Sequence, residues 1–554
     1  MKSKIEELLR LSLKELISKH VVSSAIPNEI QVDRPTQKEF GDFATNVAML
    51  LASREGKPPR DIASIIVHNI KQRHGDMFSS IEIAGPGFIN FKVKPEYWVG
   101  VLGDILRDKD AYGKSSYGKG KKVQIEFVSA NPTGPLHVGH GRGAAVGDTL
   151  ANILKITGFW VEREYYINDV GNQMNTLGRS VFARYLELCG EEGDFPEDGY
   201  QGDYIRDIAA DIKDRYQDEL LHYSTREAVA LCRDFASKRI LKGIREDLDS
   251  FGIEFDRWFS ESTLHEEGKI QKAVDILKSR DLIYTSDGAL WFRSTRFGDE
   301  KDRVVRKSDG TLTYFASDIA YHMDKLERGY DKIIDIWGAD HHGYVPRMRA
   351  AIEALGGDGD SFHALLIQLV SLERSGRPVY MSTRKGEFVT LKEIIDEVGK
   401  DAARYFFLMR KCDSHLVFDL ELAKKKSNEN PVFYIQYAHA RICSILNKAS
   451  KMGLVPDIGA ADLGYVSRGD DLELIKALAD YPSLLISCAR NLEPHHLSFY
   501  LLELAGLFHS FYNKNKVISD DRELSLARLC LVDAVRQVLR GGLSIMGIDA
   551  PEVM

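Results

Sequence analysis

The chain has 554 residues, 44% hydrophobic and 28% charged, the make-up of an ordinary globular protein too long for one core. Its six cysteines are scattered with no Cys-x-x-Cys pair, which argues against a disulfide framework or a thiolate zinc site and fits a reducing cytoplasm. The net charge of −8 argues mildly against a nucleic-acid partner, although a large enzyme can carry a local basic track, and no apolar run is long enough to span a bilayer.

The opening residues, MKSKIEELLRLSLKELI, have a helical period and mixed charge, without the apolar core of a signal peptide. PPRDIASIIVHNIKQR predicts a helix with proline at its start, and IEIAGPGFINFKV two short strands about a Gly-Pro-Gly turn. Residues 1–110 are therefore expected to form an α+β domain. DAYGKSSYGKGKK, rich in Gly, Ser and Lys, reads as a linker. From Val123 to about Asp419 strands alternate with helices, which predicts an α/β domain with a parallel sheet over 120–420, carrying a polar helical insertion near 177–252. From Asn430 the pattern is almost purely helical, so 430–554 is expected to be an all-α bundle.

The most telling stretch runs from Val123 to Asn172. A strand (Val123, Ile125, Phe127) leads through a turn-rich segment to His137-Val138-Gly139-His140, which opens an amphipathic helix, and a second strand follows from Val161. Two imidazoles and several glycines at a helix N-terminus after a strand suit a phosphate, because the first N–H groups are unpaired and the dipole favours negative charge. Capping or core histidines are the plain alternative. A dinucleotide fold, with Glu162 as its acid, is weaker: the glycine spacing is wrong and a proline-containing loop replaces the tight turn.

Further along, Tyr314-Phe315-Ala316-Ser317-Asp318 sets a carboxylate among apolar residues, where it needs a cation or several donors unless it is a helix cap. Glu126, in an apolar strand just before the histidine turn, poses the same question. Trp337-Gly338-Ala339-Asp340-His341-His342-Gly343 suggests polar contacts after a strand; a metal is a poor fit because no third ligand stands at a helical spacing. The basic loop Tyr380-Met381-Ser382-Thr383-Arg384-Lys385-Gly386 suits a mobile phosphate clamp.

Taken together these segments resemble the arginyl-tRNA synthetases, a family of class I aminoacyl-tRNA synthetases. HVGH at 137–140, within ANPTGPLHVGH, matches the His-Ile-Gly-His signature; MSTR at 381–384 matches Lys-Met-Ser-Lys-Arg imperfectly; GADHHGYVPRM and RPTQKEFGDFATNVAM are also similar to family segments. The resemblance implies a Rossmann-like catalytic domain between a tRNA-elbow-binding and an anticodon-binding domain. It implies ligation of L-arginine to tRNA(Arg) through arginyl-adenylate, with ATP as substrate, Mg2+ accompanying it, bound tRNA needed for activation, and a cytoplasmic monomer. ATP would meet His137, Gly139, His140, Asp340, His341, Met381 and Ser382. Arginine would meet Glu126, Asn131, Tyr314 and Asp318, since carboxylates in a fork best hold a guanidinium. The tRNA would meet Phe88 and Asn90 at its elbow and Tyr434, Tyr437 and Tyr512 at its anticodon, although Phe88 and the tyrosines could equally be core residues. Tyr380 and Thr383 stand where the signature has lysines, so charge on the leaving pyrophosphate falls to Arg384 or Lys385. A cysteine-specific sibling would show zinc-binding cysteines, which are missing. A synthetase-like regulatory module has only the altered lysine signature in its favour.

Overall fold

The computed structural model describes residues 1–27, 30–379 and 389–554. The N-terminal region runs α1 (Lys2–Ser18), β1 (Phe43–Thr45), α2 (Val47–Glu55), α3 (Pro59–His74), β2 (Phe78–Ala84), β3 (Phe88–Val93) and α4 (Pro95–Asp108). Its strands form an antiparallel sheet in the order β1–β3–β2. Strand β3 has the two-residue period of a half-buried strand: Ile89, Phe91 and Val93 enter the core while Phe88 and Lys92 are exposed.

The central region runs β4 (Lys122–Glu126), α5 (Val138–Ile156), β5 (Trp160–Ile167), α6 (Asn172–Cys189), α7 (Asp203–Tyr216), α8 (Thr225–Ser250), β6 (Arg257–Ser260), α9 (Glu261–Glu266), α10 (Lys269–Ser279), β7 (Ile283–Ser286), β8 (Ala289–Phe292), β9 (Arg303–Arg306), α11 (Tyr314–Glu327), β10 (Lys332–Gly338), α12 (Val345–Ala354) and β11 (Phe362–Ile367). Five of these strands make an all-parallel sheet in the order β11–β10–β4–β5–β6. The order reverses between β4 and β10, so the crevice at their carboxyl ends is where such a sheet binds ligands. The polar insertion is helices α6 to α8, between β5 and β6. One departure from simple alternation is the antiparallel sheet β7–β8–β9. Its hairpin turns at Asp287-Gly288 with φ of 50° and 76°, the geometry that an Asp-Gly pair favours.

A third small sheet joins β12 (Val370–Arg374), β13 (Arg377–Val379) and β14 (Leu416–Asp419). Helices α13 (Leu391–Val398) and α14 (Lys400–Leu408) follow Thr390, divided by Gly399 at φ 83°. After α15 (Leu420–Lys424) come the long helices α16 (Pro431–Lys451), α17 (Gly469–Asn491), α18 (His495–Lys514) and α19 (Arg522–Ile545).

The segment read as a linker is instead packed. Helix α17 continues through Pro482, which has no N–H to give to the Leu478 carbonyl one turn back. Tyr112 supplies the missing donor: its hydroxyl meets Leu478 O at 3.1 Å, with its ring stacked on Tyr481. Gly113, at φ 98°, lies where a Cβ would fall 2.8 Å from Leu485 and 2.9 Å from Tyr481.

Candidate functional site

The loop from β4 to α5 is held tightly. Val128 and Ser129 have φ of 67° and 41°, a strained region for a β-branched residue. What fixes them is nearby: the Tyr166 amide donates to Ser129 Oγ at 3.1 Å, the Tyr165 hydroxyl to Ala130 O at 2.8 Å, and the Tyr204 hydroxyl to Thr133 O at 2.8 Å. The loop delivers His137 as the N-cap of α5. Its Nδ1 accepts from the Gly139 amide at 3.1 Å, while the His137 amide donates to His140 Nδ1 at 3.2 Å. The two rings stack with centroids 3.7 Å apart.

Burial holds the His137 imidazole below its usual value and pushes His140 down to about 3, the neighbouring ring adding to the shift. Both rings are therefore neutral at pH 7, and with Nδ1 accepting in each, the ring proton belongs on Nε2. The capping and functional readings of these histidines are thus compatible, since the capping atom is Nδ1 and the donor is Nε2–H. Glycine at 139 has a local reason: a Cβ there would sit 3.0 Å from the His137 ring. Gly141 lets α5 approach Leu391, 2.7 Å from the place of a Cβ. Arg142, fully buried, donates to the carbonyls of Gln368, Lys411 and Ser414 at 2.8 to 2.9 Å and is structural.

Arg384, Lys385, Met381 and Ser382, with Tyr380 and Thr383, lie outside the described residues. The chain that follows them is tied to the histidine turn: the Val138 amide donates to Val389 O at 3.3 Å and the Leu391 amide to Leu136 O at 2.8 Å. Thr390 pairs with His137 as an isolated bridge. Val389, Thr390 and Leu391 therefore sit beside the histidine turn.

Tyr314, Asp318, Tyr321 and Lys325 fall three or four apart on α11, one stripe of that helix. Asp318 accepts a hydrogen bond from the Tyr344 hydroxyl, and burial raises its carboxyl to about 6 despite that bond. It caps nothing; α11 begins at Tyr314 after Thr313. Glu126 is 7% exposed, and its Oε2 accepts from Lys325 Nζ at 2.7 Å. Burial pushes Glu126 up against the pull of Lys325. Glu261, at the start of α9, is also buried, and it and Glu126 both raise Asp318 electrostatically. The Tyr166 hydroxyl is buried beside Glu261 and feels all three carboxylates, which together with burial hold it well above the usual phenol value. Such a pocket has more acid than its own cations answer, which suits a cationic ligand.

Tyr314 is 58% exposed, and its hydroxyl would lie 3.3 Å from a Cβ on Gly171. Asn131 donates to Gln173 Oε1 at 2.6 Å, so it stands at the same edge. Beside them opens a cleft of about 610 Å³ between the end of β5, the start of α6 and α8, lined by Asp169, Gly171, Asn175, Arg233 and Lys238 among others. Asp340 and His341 follow β10 on a short 3-10 turn, exposed and 3.7 Å apart. Among the described residues no three His, Cys, Asp or Glu side chains converge as a metal site would need. Glu162, the acid of the dinucleotide alternative, is taken by Arg328 at 3.1 Å and the Tyr330 hydroxyl at 2.7 Å.

Phe88 is 40% exposed at the tip of β3, and Asn90, two residues on along the same face, is nearly buried. The three tyrosines of the C-terminal helices form one cluster. Tyr434 and Tyr437 lie with ring centroids 4.4 and 5.8 Å from His509, and the Arg441 guanidinium sits 4.5 Å from the Tyr437 ring and 5.1 Å from Tyr512. Sequence reasoning missed Tyr344, Arg441 and Lys325. Tyr344 stood inside the GADHHGY segment, which was the available signal.

Residues 101–426 match a family model described as tRNA synthetases class I (R), catalytic domain. Residues 3–93 match one described as the arginyl tRNA synthetase N terminal domain, and 435–554 the DALR anticodon binding domain. The chain is 55% identical over 535 residues to an arginine–tRNA ligase of Citrifermentans bemidjiense, covering 96% of each. It is 50% identical to one of Syntrophotalea carbinolica, covering 100% of each. A solved Thermus thermophilus arginyl-tRNA synthetase has a TM-score of 0.79 at 24% identity over 100% of each chain, a likeness of fold.

Proposed function

The chain belongs to the arginyl-tRNA synthetase family of class I and is an arginine–tRNA ligase, and on that premise we propose how its residues divide the work. The observation that carries the reading is the acidic pocket of Asp318 and Glu126 at the carboxyl ends of the central strands, together with a helix start capped by two neutral histidines. Arginine lies with its guanidinium against Asp318 and Glu126, bordered by Tyr314, and its α-amino or carboxylate end at Asn131. Lysine cannot make the paired bonds of a planar guanidinium, so it is rejected without editing.

ATP lies along the start of α5. The arginine carboxylate oxygen bonds to the α-phosphorus as the bond to the β-phosphate oxygen breaks, and pyrophosphate leaves. The hydroxyl of the terminal ribose of the tRNA then bonds to the acyl carbon, its proton is lost, and AMP leaves. No side chain becomes a nucleophile, so the protein contributes position and charge stabilisation. His137 and His140 donate through Nε2–H to phosphate oxygens as their charge grows. Gly139, Asp340 and His341 border the nucleotide. Met381 and Ser382 also meet the nucleotide, and Arg384 or Lys385 takes the charge of the leaving pyrophosphate in place of the signature lysine. Magnesium arrives with ATP as part of the substrate.

For the tRNA, we propose domains over 1–110, 120–420 and 430–554. Phe88 and Asn90 meet the elbow, and Tyr434, Tyr437 and Tyr512 meet the anticodon loop, where aromatic rings beside a guanidinium suit unstacked bases. The cleft beside Tyr314, with Arg233 and Lys238 on its wall, gives the 3′ end an approach to the adenylate. The enzyme works as a cytoplasmic monomer, as the family resemblance implies; its six cysteines are all unpaired. No helix among the described residues is long and apolar enough to cross a membrane.

Pyrophosphate exchange into ATP tests this division. Exchange should need arginine and be stimulated by tRNA(Arg). Exchange with another amino acid, or none with arginine and tRNA present, would overturn it.

A further inference from the structure

Lys325 is fully buried in α11, and nothing in the reaction calls for it. Its ammonium donates to Glu126 Oε2 and to Asp335 Oδ1, each at 2.7 Å, and lies 4.3 Å from the Tyr321 ring centroid. Two of its three donors are spent on carboxylates and the residue is sealed from solvent, so it is not placed to meet a substrate. What it faces is unusual. Asp335, Glu126 and Glu164 stand directly opposite one another on β10, β4 and β5. Like charges in register across parallel strands repel and are normally avoided.

The way these carboxylates are answered is unequal. Glu164 has both oxygens engaged: Oε1 by the Tyr321 hydroxyl at 2.5 Å and Arg328 at 2.9 Å, and Oε2 by Arg328. Asp335 also has both engaged, Oδ1 by Lys325 and Oδ2 by His322 Nε2 at 2.9 Å. The other nitrogen of His322 meets the main-chain carbonyl of Asp318, one turn back on the same helix, at 2.8 Å. Glu126 has only Oε2 engaged. Its Oε1 takes no hydrogen bond among the described residues, and the residue keeps 7% of its surface exposed.

We propose that Lys325 is a positioning residue for the amino-acid pocket: by fastening Glu126 Oε2 to Asp335, it presents Oε1 to the guanidinium of arginine. It acts only through Glu126, and the proposal rests on the reading that Glu126 holds that group. A lysine that merely neutralised the sheet would support folding and leave substrate affinities alone. A positioning lysine affects one substrate selectively, because a freed Glu126 would turn away or take a proton, and a bidentate partner tolerates little misplacement.

Steady-state aminoacylation by the full chain separates these cases. Arginine KM, ATP KM and kcat would be measured for Glu126→Gln, Lys325→Met and the double variant. Each single change should raise arginine KM about tenfold, the effect of one lost charge-assisted bond, with ATP KM within about twofold. The double variant should be no worse than Glu126→Gln alone, since the two side chains act as one unit. An unchanged arginine KM in Glu126→Gln would sink the pocket reading itself. A raised KM there but not in Lys325→Met, or multiplying effects in the double variant, would sink the positioning proposal alone. Where Lys325→Met does not fold, Asp335→Asn carries the same comparison: it keeps the lysine but loosens its anchor, and should raise arginine KM about threefold. An unchanged arginine KM in that variant overturns the proposal.

Discussion

His140 is tuned by its surroundings for a task that a charged imidazole would do differently. Burial and the stacked His137 ring keep it neutral, so it holds a fixed N–H donor rather than a cation that must be stripped of water. Removing the ring should matter most when charge is moving. His140→Ala is expected to lower kcat at least about tenfold with tRNA KM little changed, as for a contact made mainly in the transition state; steady-state kinetics at saturating tRNA checks it. Asp318 carries the opposite tuning, a carboxyl raised to about 6 by burial. If the ionised form holds the guanidinium as proposed, arginine KM should climb as pH falls through about 6, while in Asp318→Asn it should be flat over the same window. For stability the sign is reversed relative to a salt-bridged acid. Folded Asp318 is the weaker acid, so its charge opposes folding above about pH 6, and that cost fades as pH falls toward the unfolded carboxylate value.

Helix α5 was readable in the residues because its signals are local: an apolar period, glycines, and histidines at its start. The pairing of Asp318 with Tyr344 was not, since the two come from separate elements brought together only by the sheet. Lys325 was hidden for a related reason. A lysine in an amphipathic helix reads as a solvated face, and only the strand register of Asp335, Glu126 and Glu164 makes it a core residue. The Asp287-Gly288 hairpin was legible and was passed over among the surrounding helices. The linker reading failed on Tyr112, whose partner is a carbonyl left open by a proline far along the chain. Tyr112→Phe should keep the ring stacking and strand that carbonyl, lowering stability by about 1 kcal/mol. A denaturant midpoint unchanged from the parent would show that water satisfies Leu478 instead.

Across the whole molecule, the three regions are fastened by charged side chains reaching between them. Arg404, fully buried, donates from α14 to Met546 O at 2.5 Å, to Phe251 O at 3.1 Å and to Asp148 of α5. Arg34 pairs with Asp480 at 2.7 Å, and Lys476 with Asp42 at 2.7 Å, joining the N-terminal region to α17. On the proposed reading, the aromatic cluster around Arg441 meets the anticodon loop. Tyr512→Ala should raise tRNA KM about tenfold, the effect of losing one base-stacking surface, and leave arginine KM unchanged. Charging assays over a tRNA concentration series would reveal the split, and an equal rise in both constants would point to a folding defect.

The claim on which the mechanism turns is that the buried carboxylate of α11 holds the amino acid's cationic end. Its most direct measurement is arginine KM beside ATP KM for Asp318→Asn, a change that keeps size and removes charge. The account predicts a rise in arginine KM of at least about tenfold with ATP KM nearly unchanged. An arginine KM equal to that of the parent enzyme would contradict it.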